Sequence, residues 1–313
     1  MRNLLARFAA NAYWTGRYME RAENLARILD VNETFARGRN EEENWLPIVH
    51  LHDDDDHFFR HYGDATAQSV VSFYTLNVKN RNSIASCLGY ARENARTMRH
   101  LISTELWLQL NVFHGWMMGL GARDIRLDNL SRLCAAIKEG CQTHAGILEG
   151  TLYRDQVWYF YLIGKQVERA GQISRLVDIK SHMLERPVGN VEIAIDISQW
   201  NALLRSAAGY QAFRRVNPRG IEPDLVLEFF FFNTGFPRSV VRCLMEIDRL
   251  LAGLSQGGLH AARDVRGHLA PLDDVMQAAD VRLIRKRGLN NFIDDLQREL
   301  DGFSAELGER FFQ

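Results

Sequence analysis

Nineteen residues near the start of the chain, Tyr13 to Val31 (YWTGRYMERAENLARILDV), return 148 residues later as Tyr161 to Ile179 (YLIGKQVERAGQISRLVDI). Seven aligned positions are identical: Tyr13/Tyr161, Gly16/Gly164, Glu20/Glu168, Arg21/Arg169, Ala22/Ala170, Arg27/Arg175 and Asp30/Asp178. Unrelated helices share about one such match over this length, so the chain reads as an internal duplication and its architecture has to accommodate the same helix twice. The differences are mild, with Arg17 replaced by Lys165 and Asn24 by Gln172.

A second motif repeats as well. Ser83-Ile84-x-x-Cys87-Leu88 returns as Ser239-Val240-x-x-Cys243-Leu244, now at an offset of 156, so eight residues enter the second copy between the two motifs. Serine just ahead of an apolar helix is an N-cap, and cysteine in the first turns is a small core residue. A nucleophilic role is the alternative for either, although no histidine is nearby in sequence. With six prolines in 313 residues and leucine, alanine, arginine and glutamate at three- and four-residue spacing, the expectation is an all-α helical bundle. It should be built from two duplicated halves, 1–150 and 151–313, related by a pseudo-twofold axis and packed as one compact unit.

The expected helices of the first half run from Leu4 to Arg37, closed by Gly38-Arg39-Asn40, and from Glu41 to His52 with Pro47 in the first turn. Gln68 to Val78, a long helix from Ser83, Glu105 to Leu120 and Asp124 to Leu148 follow, with the half boundary near Gly150. In the second half the repeated helix should end near Glu185-Arg186-Pro187. Gln199 to Phe213 follows with Trp200 in the place of Trp45, then Leu225 to Phe232, Phe236 to Leu254, Val275 to Arg285 and Leu289 to Phe312.

At about 100° per residue, Tyr13, Arg17, Glu20, Asn24 and Arg27 form one polar stripe, which Tyr161, Lys165, Glu168, Gln172 and Arg175 repeat. Beside it runs an apolar stripe of Trp14, Tyr18, Leu25 and Leu29, echoed by Leu162, Ile173 and Val177, with Arg21 and Arg169 in its middle. An arginine there needs a carboxylate or a bound anion. A crossing of the two copies would let Glu20 meet Arg169 and Glu168 meet Arg21. Two readings of the polar stripe stand: a solvated face with Glu23 and Arg27 as an ordinary i,i+4 pair, or a functional face. The catalytic candidates are therefore Glu20, Arg21, Glu168 and Arg169. Arg17 and Lys165, together with Arg92, Glu93, Arg96 and Arg238, are candidates for binding an anion or a partner. Arg92, Arg96 and Arg99 recur at i, i+4 and i+7, and a plain surface stripe is the alternative there.

The run Asp53 to Asp56 suits a helix N-terminus, where the dipole favours negative charge. His50, His52, His57 and His61 lie around it, but their order matches no zinc motif and no ExxH accompanies them. No metal site is expected, with an exposed acidic helix start as the simpler reading. A net charge of −1 argues against a general affinity for nucleic acid or anionic membranes. Four cysteines without a CxxC pair fit a reducing cytoplasm. The start MRNLLARFAANAYW lacks the apolar run of a secretory signal, and Leu225 to Phe232 is too short to span a bilayer.

The segments GRYMERAEN, ARENARTMR, ELWLQLN, GKQVERAGQISRLVDIK and FPRSVVRCL together resemble the bacterial alpha-E family, in the family's order and over nearly the whole chain. On that resemblance the Glu-Arg motifs fall on Glu20-Arg21 and Glu168-Arg169, the ARENAR motif on Ala91 to Arg96, and the PRS motif on Pro237 to Ser239. The first-half counterpart of the last reads Arg81-Asn82-Ser83, without the proline. The resemblance implies an intracellular all-helical protein encoded beside a circularly permuted ATP-grasp protein and a transglutaminase-like protein, neighbours that suit an ATP-dependent amide- or peptide-forming system.

Three function classes follow: an accessory subunit of such an amidoligase, an enzyme acting on a peptide or carboxylate through its Glu-Arg pairs, and a nucleic-acid adaptor, which the near-neutral charge disfavours. No Walker or Rossmann glycine loop is present, and the glycines at 115, 119 and 121 lack the following Lys-Ser/Thr, so no cofactor is expected. The isolated chain should accordingly neither bind nor hydrolyse ATP. Calorimetry with magnesium and ATP checks this, and micromolar affinity would contradict it.

Overall fold

The computed structural model describes residues 4–36, 41–184, 192–277, 281–282, 284 and 288–313, and among them there is no strand. The helices are α1 (Ala6–Ala36), α2 (Glu41–His50), α3 (Asp55–Phe59), α4 (Ala67–Thr75), α5 (Ile84–Thr97), α6 (Thr104–Met118), α7 (Leu127–Thr151) and α8 (Gln156–Leu184). They continue with α9 (Glu192–Ser206), α10 (Tyr210–Val216), α11 (Pro223–Phe231), α12 (Val240–Gln256), α13 (Ala261–Gly267), α14 (Ala270–Gln277) and α15 (Leu289–Phe311). None of the described helices is long and apolar enough to cross a membrane.

The chain forms two compact units, residues 14–153 and residues 1–13 with 154–313. In the first, α5 packs on α6 and α6 on α7, while α2 packs on α4. The C-terminal part of α1 is tied to α7 by Asp30, whose carboxylate meets Lys138 Nζ and accepts from Ser131 Oγ, both at 2.6 Å. In the second, α12 and α15 both lie along α8, and Phe160 meets Phe311 edge-on at 5.2 Å. The expected half boundary at Gly150 falls inside α7, which continues to Thr151.

Both units use the same two backbone devices. The first closes α2 and α9. Asp53 (φ 53°) and Ala208 (φ 56°) are left-handed, and each is followed by a 6→1 bond, Asp54 N to Val49 O at 3.3 Å and Gly209 N to Leu204 O at 2.7 Å. The residues themselves bond back to His50 O and Arg205 O. This is the Schellman closure, which satisfies carbonyls the helix end leaves open. It corrects the expectation of one helix from Gln199 to Phe213: α9 stops at Ser206 and α10 begins at Tyr210. Pro47 is also corrected, because α2 begins at Glu41 and holds the proline in its interior. One ladder bond is lost there, against the burial of Trp45, Ile48 and Val49.

The second device joins α4 to α5 and α11 to α12. Each pair begins with a nine-residue helix. Asn77 Oδ1 accepts from Lys79 N and Asn233 Oδ1 from Gly235 N, both at 3.0 Å. The serines then cap as expected: Ser83 Oγ accepts from Ser86 N at 3.1 Å and Ser239 Oγ from Arg242 N at 3.3 Å. The turn has the same form with Arg81 in one copy and Pro237 in the other, so proline is not what shapes it. Asx turns and serine caps are local side-chain bonds, available wherever these residues recur.

Other boundaries move. α4 ends at Thr75 and α5 at Thr97, after which Ser103 caps α6 by accepting from Leu106 N at 3.1 Å. The stretch after α12 holds two short helices, α13 and α14, in place of a helix beginning at Val275. The expected breakers at 38–40 and 185–187, and residues 278–280, 283 and 285 of the segment expected to be helical up to Arg285, lie outside the described residues.

Gly164 marks a close approach within the second unit: a methyl built on it would lie 2.8 Å from the carbonyl carbon of Tyr13 and 3.1 Å from its Cα. Gly164→Ala should therefore lower stability by roughly 1–3 kcal/mol as overpacking, despite alanine's better helix propensity of about 1 kcal/mol. Gly146→Ala, in α7 with nothing within 4 Å, should instead raise stability by about 0.4–1 kcal/mol. Urea unfolding of both variants checks this, and a gain at both sites would show that the helices separate freely at Gly164.

Candidate functional site

The repeated helices bury their polar stripe. Tyr13, Glu20 and Asn24 are buried, and so are Tyr161, Glu168 and Gln172. Arg17, Arg21 and Arg27 are half-buried, as are Lys165, Arg169 and Arg175. This overturns the reading of a solvated face. Conversely Trp14, placed in the apolar stripe, is 37% exposed, with Arg17 stacked over its ring at 4.9 Å.

A carboxylate taken out of water needs donors, and each copy supplies one from the next turn of its own helix. Asn24 Nδ2 donates to Glu20 Oε1 at 3.5 Å, and Gln172 Nε2 to Glu168 Oε1 at 3.1 Å. The glutamates are 2% and 1% exposed. The first copy adds Glu23, buried, whose Oε1 accepts from Arg27 Nη2 at 2.5 Å and from Nε at 3.1 Å. Gly171 stands at the corresponding place in the second.

Arg21 finds an amide. Its Nη1 donates to Asn82 Oδ1 at 2.8 Å, and Asn82 Nδ2 donates in turn to the carboxylate of Asp54 at 3.1 and 3.2 Å. Tyr74 Oη donates to Asp54 Oδ2 at 3.1 Å. Asp54 is buried at the first position beyond the left-handed residue that closes α2. Burial pushes its carboxyl above the ordinary value, and the hydrogen bonds from Asn82 and Tyr74 offset this only in part. Burial and the neighbouring Asp54 push the Tyr74 phenol far upward, so it remains a donor.

This relay belongs to one half. At the offsets of the repeated backbone devices, Asp54 corresponds to Gly209, Tyr74 to Phe230, Asn80 to Phe236 and Asn82 to Arg238. A methyl on Gly209 would come within 3.1 Å of Phe229 and Phe236, whose rings stack at 4.4 Å. Aromatic packing thus occupies in the second unit what a hydrogen-bonded cluster occupies in the first. Arg238 is buried next to the cap Ser239. Sequence reasoning singled out none of Asp54, Tyr74 and Asn82 as site residues. The available signal was their joint replacement by Gly, Phe and Arg in the second copy.

The remaining candidates separate from this cluster. Arg92, Glu93 and Arg96 lie on the outer part of α5, where Glu93 meets Arg92 Nη1 at 2.6 Å and Arg96 Nε at 2.8 Å. Lys165 is half-buried on α8. Asp55 and Asp56 occupy the first turn of α3, as expected of that acidic run. His50 Nδ1 contacts Asp55 Oδ1 at 2.6 Å, and His57 and His61 lie ring to ring at 5.1 Å, while His52 packs on Tyr74. Among the described residues no group of three His, Cys, Asp or Glu is arranged to hold a metal. All four cysteines are buried. Burial pushes the thiol of Cys134 up to about 12 and that of Cys141 well above its usual value, unsuited to thiolate chemistry.

These features define a class of all-α protein in which a long helix bearing a buried glutamate beside a half-buried arginine occurs twice. The chain belongs to the Alpha-E family, described as a predicted alpha-helical domain with a conserved ER motif, which matches residues 4–312. No curated protein and no solved structure is significantly similar to it.

The relay makes a pH prediction. With its folded value raised, Asp54 holds its proton more tightly in the folded protein than in the unfolded chain. Its contribution to stability is full below the unfolded value of about 3.9 and is lost as pH rises through the folded one. Asp54→Asn removes this titration. Unfolding free energies of the two proteins, measured in urea over a pH series, should shift in favour of the variant from acid to neutral pH. A constant difference would mean that Asp54 ionises as in water.

Proposed function

We propose that this chain is an accessory or scaffold subunit of a cytoplasmic, ATP-dependent amide- or peptide-forming system. It binds an ATP-grasp amidoligase, works beside a transglutaminase-like protein, and helps to hold an anionic substrate. The observation that supports this reading is the burial of both motif glutamates, each bonded by an amide of its own helix. Carboxylates so placed hold a helix in register and are poorly disposed to exchange protons with an external substrate. The basic groups open to solvent, such as Arg96, suit contact with a partner or an anion.

A second reading, an enzyme acting on a peptide or carboxylate substrate through the Glu-Arg motifs, draws on one observation. Arg21 is linked through Asn82 to Asp54, a carboxyl biased towards its protonated form, and such a group can serve as a general acid.

The test is isolation of the tagged chain from its native cells with identification of bound proteins, followed by assay of the partner with and without it. An ATP-grasp partner whose amide-forming rate falls at least about tenfold without this chain is the expected result. Turnover of a peptide by the isolated chain, lost in Glu20→Gln and Glu168→Gln, would overturn it in favour of the second reading.

A further inference from the structure

We propose that the outer face of α6, edged by the arginine row of α5, docks an acidic amphipathic helix of a partner protein; this deepens the scaffold reading and rests on it. Glu105 is the one formally charged residue of α6, and the helix is apolar on both sides. Leu106, Leu110, Phe113 and Met117 are buried. Leu108, Val112 and Trp116, at i, i+4 and i+8, are 53%, 71% and 37% exposed. A helix apolar all round is normally covered on all sides, and here one stripe is left open over about 12 Å of helix.

The charge beside the stripe selects what covers it. Arg92 and Arg99 lie over the ring of Trp107 at 5.7 and 5.8 Å, and Arg92 Nε donates to Asn111 Oδ1 at 2.6 Å. Trp107 and Asn111 immediately precede Leu108 and Val112, so the guanidinium groups run along the edge of the stripe. Arg96 extends the row and is 62% exposed. Glu93 pairs with both Arg92 and Arg96, and Arg99 adds a third guanidinium, so the edge stays basic with both ion pairs made. At the offset of 156 the three arginines correspond to Asp248, Ala252 and Ser255, so the duplication does not repeat this row in the second unit. An occupant with leucine-like anchors at helical spacing and acids along one flank meets both the apolar stripe and the basic edge. A second copy pairing α6 with α6 would offer only Glu105 to the arginines.

A photo-crosslinking residue in place of Val112 in the full chain, activated in native cells, tests this. The expected crosslink maps to an acidic amphipathic helical segment of another protein. It should fall at least about tenfold in Arg96→Glu/Arg99→Glu and return when acids of that segment are changed to lysine. Because both arginines are exposed, the thermal unfolding of the double variant should match that of the parent and exclude misfolding. A crosslink to a second copy of this chain, to lipid, or to a segment without acids overturns the proposal. So does a partner that still co-purifies while nothing crosslinks at position 112, an outcome that leaves the scaffold reading intact. Absence of any co-purifying partner removes both.

Discussion

Two carboxylates, Glu20 and Glu168, are buried in the long helices that organise this protein, and much of the remaining structure follows from keeping them there. A buried carboxylate must keep donors in place. The Asn24 and Gln172 amides do this only while the helix runs unbroken through the intervening turn, which ties the pair to regular helical geometry. The helices are correspondingly long, 31 and 29 residues, and their bonded polar stripes face inward with Leu25, Leu29, Ile173 and Val177 buried alongside.

The two copies show which features of a repeated segment resist change. Left-handed closure at Asp53 and Ala208, the asparagine turn and the serine cap recur with nearly the same bonds. The side chains these devices present have diverged. A carboxyl, a phenol and an amide form the cluster in the first unit, where the second has a glycine, a phenylalanine and an arginine. Backbone geometry is set by residues that bond to their own neighbours, so it tolerates exchange of everything that points away. The cluster depends on all its members together, since a lone buried polar group is costly, which fits their joint replacement.

The thiols and the bonded carboxyl groups of the repeated helices are turned inward, while the surface of the first unit offers an apolar stripe and guanidinium groups. Thiols, motif glutamates and Asp54 are buried; Leu108, Val112, Trp116 and Arg96 are exposed. An exposed apolar stripe beside guanidinium groups is a contact surface, and the proposed scaffold role draws on it.

Local bonding made part of this legible in the sequence alone. All-helical character, the caps at Ser83 and Ser239, and the interior cysteines depend on residues within a few positions of each other, and each was readable from spacing and composition. The orientation of the repeated helices was not. Periodicity separates a polar stripe from an apolar one but carries no sign for which is inside when both are packed, and here the polar stripe with Glu20 and Glu168 is buried while Trp14 is exposed. The break at Ala208 was hidden because alanine in the left-handed region has no local signature of the kind glycine provides. Asp54 looked like one acid among four, and only packing from Tyr74 and Asn82, 20 and 28 residues away, made it different from Asp55 and Asp56. Bonds within a turn belong to the sequence, whereas the burial of a charge is decided by what other elements bring to it.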